Sequence, residues 1–228
     1  MLRSGLMIGL AIAVAGSAVA ASPSETPSDT LFTAERVFDV EYASDVQISP
    51  DGRTIVYVRR GMDRLKDRVT GDLWLLDVAS GAHRPLVTGS GSAGAPRWSP
   101  DGTRLAYISG ANGRPELRVR FMDSGQDFSL AQLEQSPGAP VWSPDGKAIA
   151  FTMLKPAEGL SLASPIKAPK DAEWSPPVKV FDDLVFRFDG RGYLTPGTAQ
   201  VYMVPAEGGT PRQITKGETD ASGPQWLG

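Results

Sequence analysis

Apolar and polar residues alternate along this chain in short runs, each closed by turn residues, and the runs return at a long and nearly constant interval. Ile48-Ser49-Pro50-Asp51-Gly52 is followed about 50 residues later by Trp98-Ser99-Pro100-Asp101-Gly102, and about 44 residues after that by Trp142-Ser143-Pro144-Asp145-Gly146. Behind each glycine lies an alternating run with the period of a strand, at residues 54–58, 104–108 and 148–152. The likeness also extends upstream. Ala95-Pro96-Arg97-Trp98 matches Ala139-Pro140-Val141-Trp142, and Gly223-Pro224-Gln225-Trp226 opens in the same way.

Ser-Pro-Asp-Gly is turn chemistry. Proline fixes φ near –65°, aspartate bonds nearby backbone amides, and glycine takes the positive φ that closes a hairpin. A repeat of 40–50 residues with four strands is the size of one β-propeller blade. The first unit supplies strands at 46–49, 54–59, 72–78 and 84–88, and the second at 104–108, 116–122 and near 128–133. The third has a strand ending near Leu154 and two more at 200–204 and 212–215. The expected fold is all-β: a partial propeller of about three four-stranded antiparallel blades plus the first strand of another. The blades fall at about 40–93, 94–138 and 139–222 within a domain spanning 31–228, with an insertion at 155–199 that admits at most short helices. Trp98 and Trp142 are expected to pack between neighbouring blades. Closed rings have 4–8 blades, so the pattern predicts either a fragment of a longer propeller, the favoured reading, or blades supplied by another chain.

Composition changes the picture at the N-terminus. Arg3, an apolar stretch from Leu6 to Val14 and Ala18-Val19-Ala20 have the order of a secretory signal, with cleavage expected before Ala21. That makes 1–20 a signal peptide and 21–30 a flexible mature terminus, in a periplasmic or secreted protein with no membrane attachment after cleavage. A net charge of –3 gives no reason to expect nucleic acid, and the basic run Arg64, Lys66, Arg68 has the character of a solvated loop. With no cysteine and one histidine, thiol catalysis and Cys- or His-rich metal centres are excluded. No metal or other cofactor is expected.

Nucleophilic chemistry finds little to work with. A G-x-S-x-G elbow is approached only by Ser90-Gly91-Ser92-Ala93-Gly94, which has serine at the first glycine position and falls in a linker between blades. His83 falls on a hairpin. Ser164-Pro165-Ile166-Lys167 places a serine and a lysine three apart, but Pro165 disfavours a helix there. Asp182, Asp183 and Asp189 fit no metal-loop spacing. No catalytic residue is assigned.

Tandem Trp-Ser-Pro-Asp-Gly blades behind a signal peptide resemble two families, the TolB component of the Tol envelope system and the N-terminal propeller of prolyl-oligopeptidase-family serine peptidases. The insertion separates them. The stretch from Val178 to Tyr193, then Gln200-Val201-Tyr202-Met203-Val204-Pro205, then Gly208-Gly209-Thr210-Pro211-Arg212-Gln213-Ile214-Thr215, is similar to the bacterial dipeptidyl/acylaminoacyl-peptidase propeller. This resemblance covers roughly residues 31–226. A TolB-like chain is expected to carry an α/β domain ahead of its propeller, and only about 27 residues separate the cleavage site from the first blade motif. The peptidase resemblance implies a non-catalytic module that gates or positions peptide substrate for an α/β-hydrolase domain. Expected partners are a peptide or that domain, with a protein partner of the open propeller as the TolB-like alternative. Arg187, Asp189 and Arg191 of the insertion are the candidate substrate-binding residues, since arginine pairs with a carboxylate through two parallel hydrogen bonds.

Overall fold

In the computed structural model the described residues are 32, 34–89, 92–111, 113–157, 168–175, 184–189 and 192–227, and all sheet structure lies within Glu35–Gly228. The first sheet is a meander of β1 (Tyr42–Ile48), β2 (Thr54–Asp63), β3 (Arg68–Asp77) and β4 (His83–Val87). The second repeats it with β5 (Ala93–Trp98), β6 (Arg104–Ser109), β7 (Glu116–Phe121) and β8 (Asp127–Gln132). The third contains β9 (Val141–Trp142), β10 (Ala148–Pro156), β13 (Gly197–Pro205) and β14 (Arg212–Gln213). Between β10 and β13, a separate two-stranded hairpin pairs β11 (Arg187–Phe188) with β12 (Gly192–Tyr193). All pairings are antiparallel. The fold is the all-β partial propeller expected from the repeat.

The sheets stack through their opening strands. β5 packs on β1, β2 and β3, and β9 packs on β5. Val56, Val58, Leu73 and Leu75 of the first sheet bury against Ala93, Leu105 and Tyr107 of the second. On the other side, Ala106, Leu117 and Val119 bury against Trp142, Ile149, Phe151 and Val204 of the third. Leu105, Ala106 and Tyr107 therefore point alternately to two different cores, and the run is apolar without interruption because the middle sheet is covered on both faces. Burying one such side chain is worth about 1.5–3 kcal/mol.

The three turns share one hydrogen-bond pattern. Ser49, Ser99 and Ser143 donate Oγ–H to Asp51, Asp101 and Asp145 at 2.6, 2.5 and 2.6 Å. The same hydroxyls accept the backbone N–H of Thr54, Arg104 and Ala148, each at 2.9 Å. Gly52, Gly102 and Gly146 sit at φ +74°, +71° and +68°, where a Cβ is strained. The buried serines and repeated aspartates are thus consumed in holding each β-hairpin shut.

These bonds hold the three aspartates below the usual carboxylate value of 3.8, through the serine hydroxyl first and a backbone amide next. A depressed folded value means that the stabilisation is complete above 3.8 and is lost as pH falls through the lower folded values. The combined Asp51→Asn, Asp101→Asn, Asp145→Asn variant is expected to melt below the wild type at pH 7, with the gap shrinking across the acid range below 3.8. Thermal melts across that range check it, and a gap independent of pH removes the carboxylates from the account.

Each tryptophan of the repeat also ties its segment to the opening strand of the sheet before. The indole N–H of Trp98 donates to the Gln47 carbonyl at 3.4 Å, that of Trp142 to Arg97 at 3.0 Å and that of Trp226 to Val141 at 3.2 Å. Trp98 and Trp142 lie at the seams between sheets, Trp142 buried and Trp98 half-buried. Asp45, Ala95 and Gly223 occupy equivalent places with positive φ, and the ion pair from Arg97 to Asp45 at 2.8 Å spans the first seam.

Several strands differ in extent from their sequence patterns. The β2–β3 hairpin continues past Arg59 and Asp72 to pair Asp63 with Arg68, leaving Arg64, Leu65, Lys66 and Asp67 as an exposed tip. Polar residues propagate that ladder because its outer end faces water, where an apolar pattern is not required. β13 begins at Gly197 rather than Gln200, and β14 is shorter than residues 212–215. No α-helix is present among the described residues of 155–180.

Candidate insertion hairpin and its relatives

The insertion leaves the third sheet at the end of β10 and returns into β13, its neighbour, so the core pairing from Ala148–Pro205 to Pro156–Gly197 is undisturbed. Within it, Arg187 pairs with Tyr193 and Phe188 with Gly192. Leu194 N–H donates to the Phe186 carbonyl at 2.8 Å and extends the ladder. Gly192, at φ +71°, lets the chain reverse.

Arg187 is exposed, and its guanidinium lies 5.8 Å from the centre of the Tyr193 ring. Phe186 stacks on the same ring, with centroids 6.4 Å apart and planes 20° apart. Asp189 is exposed in the turn that follows β11. The structure thus places Arg187 and Asp189 on one hairpin, while Arg191, Asp182, Asp183, Ser164 and Lys167 lie outside the described residues. Arginine held against an aromatic face keeps its planar fork available for an anion, at modest entropic cost. Sequence reasoning found the arginine and missed the aromatic group around it. The alternation Phe186-Arg187-Phe188 was the available signal, since aromatic residues beside a loop arginine have no core to fill.

The remaining candidates have structural partners. His83 is exposed on β4, and its Nδ1 is 2.9 Å from the Tyr57 hydroxyl. The repeat register gives this pair a counterpart, because Tyr57 and Tyr107 occupy the same place on β2 and β6, and His83 and Asp127 the same place on the outer strands. In the second sheet, Tyr107 donates a short hydrogen bond to Asp127. Arg118 bonds Asp127 and the buried Glu116, each at 2.7 Å. Burial first, and then the bond to Asp127, push the Tyr107 hydroxyl well above its ordinary value. Burial alone lowers the value for Arg118, but Glu116 and Asp127 outweigh it and hold the guanidinium more firmly charged than usual. This cluster is a polar lock within the second sheet, tying β6, β7 and β8 together. Among the described residues, no group of three or more His, Cys, Asp and Glu side chains is placed to hold a metal ion.

Residues 49–112 match the family described as the dipeptidyl peptidase IV (DPP IV) N-terminal region. The chain is 30% identical over 195 residues to the uncharacterized peptidase YuxL of Bacillus subtilis, which covers 85% of this chain and 29% of that protein. The chain resembles the N-terminal propeller of prolyl-oligopeptidase-family peptidases. It is also similar to the Tol-Pal system protein TolB 1 of Novosphingobium aromaticivorans, at 35% identity over 95 residues, or 41% of this chain and 20% of that protein. Among solved structures, an acylaminoacyl peptidase of Pyrococcus horikoshii superposes with a TM-score of 0.56 at 15% identity, over 78% of this chain and 25% of that one. At that identity the likeness is one of fold. The chain thus spans less than a third of the length of the peptidases it matches.

Proposed function

We propose that this chain is the propeller portion of an exported prolyl-oligopeptidase-like serine peptidase, gating or positioning peptide substrate for an α/β-hydrolase domain. The observation that carries the reading is the Arg187–Tyr193 hairpin, set into the third blade of a propeller similar to those of peptidases. Arg187 pairs with a peptide carboxylate and Asp189 with a cationic group, and Arg191, two residues on in the sequence, joins them as a second cation. The order of charge, apolar core and Ala18-Val19-Ala20 at the N-terminus supports export, with the mature protein in the periplasm or medium. N-terminal sequencing of exported protein is expected to start at Ala21; a chain still beginning at Met1 sinks this part.

Two peptides differing only at the C-terminus, one a free carboxylate and one an amide, test the binding role by fluorescence anisotropy. The full chain is expected to prefer the carboxylate, and Arg187→Ala to erase the preference. Equal binding of the two peptides by the wild type ends the proposal. A second reading, a TolB-like protein-interaction propeller, is supported by the 35% identity to TolB 1 over 95 residues. It requires no such preference.

The chain alone is expected not to hydrolyse aminoacyl or acylaminoacyl esters, amides or peptides. A serine nucleophile needs a base within hydrogen-bond reach and donors for the oxyanion. The one histidine is bonded to Tyr57, and Ser49, Ser99 and Ser143 are committed to turns. Saturable hydrolysis that co-purifies with the chain and is lost on His83→Ala or Ser164→Ala overturns this expectation.

A further inference from the structure

The insertion hairpin has two features that recognition of a single charge leaves unused. The first is its backbone. The bond from Leu194 N–H to the Phe186 carbonyl makes Phe186 and Leu194 a hydrogen-bonded pair. Pairs alternate along an antiparallel ladder, so Arg187 and Tyr193 form a non-hydrogen-bonded pair. The N–H and C=O of Arg187 are therefore turned outward, to the outer edge of β11. The second is its surface. Leu184 is fully exposed, and Val185, Phe186, Phe188 and Tyr193 are 43–55% exposed. A two-stranded hairpin is marginal by itself, and three strands with an apolar face are what make such a unit stable.

We propose that the outer edge of β11 takes an extended peptide as a third strand, pairing with the N–H and C=O of Arg187 while Val185, Phe186 and Phe188 grip its apolar side chains. This deepens the reading that the insertion meets peptide, and it assigns the substrate class: an extended segment with at least one large apolar side chain, read through its backbone. Strand addition draws affinity from main-chain bonds and specificity from alternate side chains. The β2–β3 hairpin offers a contrast, because its exposed end carries Arg64, Lys66 and Asp67 around a lone Leu65, charges that blunt an edge. The outer edge of β11 is flanked by phenylalanines.

The test uses the full chain and a labelled Gly-Val-Phe-Val peptide with a free C-terminus, followed by anisotropy, beside the same peptide N-methylated at phenylalanine. Arg187→Pro removes the outward N–H, and proline is tolerated on the free side of an edge strand. Arg187→Ala keeps the N–H and removes the charge. N-methylation and Arg187→Pro are each expected to weaken binding at least tenfold, and Arg187→Ala clearly less than Arg187→Pro. Protection of the Leu194 N–H from hydrogen exchange shows that the hairpin survives in Arg187→Pro. If Arg187→Ala and Arg187→Pro weaken binding equally and N-methylation is harmless, strand addition is overturned and carboxylate recognition stands. If Tyr193→Pro, and not Arg187→Pro, abolishes binding, the assignment to the β11 edge is overturned. If no variant changes the binding, strand addition and carboxylate recognition both fall.

Discussion

Replacing Trp142 with alanine is expected to destabilise the chain by about 3–5 kcal/mol, the range for removing a buried aromatic ring. The ring is only 7% exposed and belongs to the core shared by the second and third sheets. Its loss leaves a cavity among Ala106, Ile149 and Phe151. It also strips the Arg97 carbonyl of its indole donor and removes the aromatic face that the Arg104 guanidinium covers at 4.9 Å. Trp142→Phe isolates the hydrogen bond and is expected to cost only about 1–2 kcal/mol. Trp98→Ala falls in between, because its ring is half-buried and its hydrogen bond is longer, at 3.4 Å. Urea unfolding of the three variants measures the order. A loss under about 1 kcal/mol for Trp142→Ala would mean that the ring is not part of the seam.

This ranking shows what the repeat could and could not reveal. Trp98 and Trp142 stand at the same place in the same motif, so the sequence treats them alike. They differ in burial because Trp142 meets two continuous layers of aliphatic and aromatic side chains, whereas Trp98 closes over the edge of the first sheet, near the exposed Ile48. The motif that announced the fold, Ser-Pro-Asp-Gly, is legible because its chemistry is local. The serine, aspartate and glycine satisfy one another within five residues of chain. Alternation likewise located β2, β6 and β10. It failed at the β2–β3 tip, where the ladder runs on in solvent without an apolar face to mark it.

The candidate site was only partly legible for a related reason. Arg187 and Asp189 could be picked out as charged residues in an insertion that breaks the repeat. Their setting depends on the pairing of Arg187 with Tyr193, which alternation over two-residue strands cannot encode. The polar lock of Tyr107, Arg118, Asp127 and Glu116 escaped notice altogether. Its members are spread over β6, β7 and β8, and in sequence Glu116, Arg118 and Arg120 read as the solvated face of an ordinary strand. Only the register that sets Arg118 between Tyr107 and Ser129 brings them together on one sheet.

That lock carries the second large effect. Arg118→Met is expected to destabilise the chain by about 3 kcal/mol at pH 7, because breaking a buried ion pair from one side is costly. Glu116 has a side chain only 3% exposed and Asp127 one 18% exposed, and both lose the guanidinium that bonds them at 2.7 Å. Methionine fills most of the volume, so the loss is chiefly electrostatic. A second variant separates charge from packing. Adding Glu116→Gln and Asp127→Asn to Arg118→Met is expected to recover part of the loss, because neutral side chains in the same places no longer call for a guanidinium. Urea midpoints of the single and the triple variant at pH 7 provide the measurement. If the triple variant recovers nothing, packing alone accounts for the loss, and Arg118 serves the second sheet as a spacer rather than as a charge.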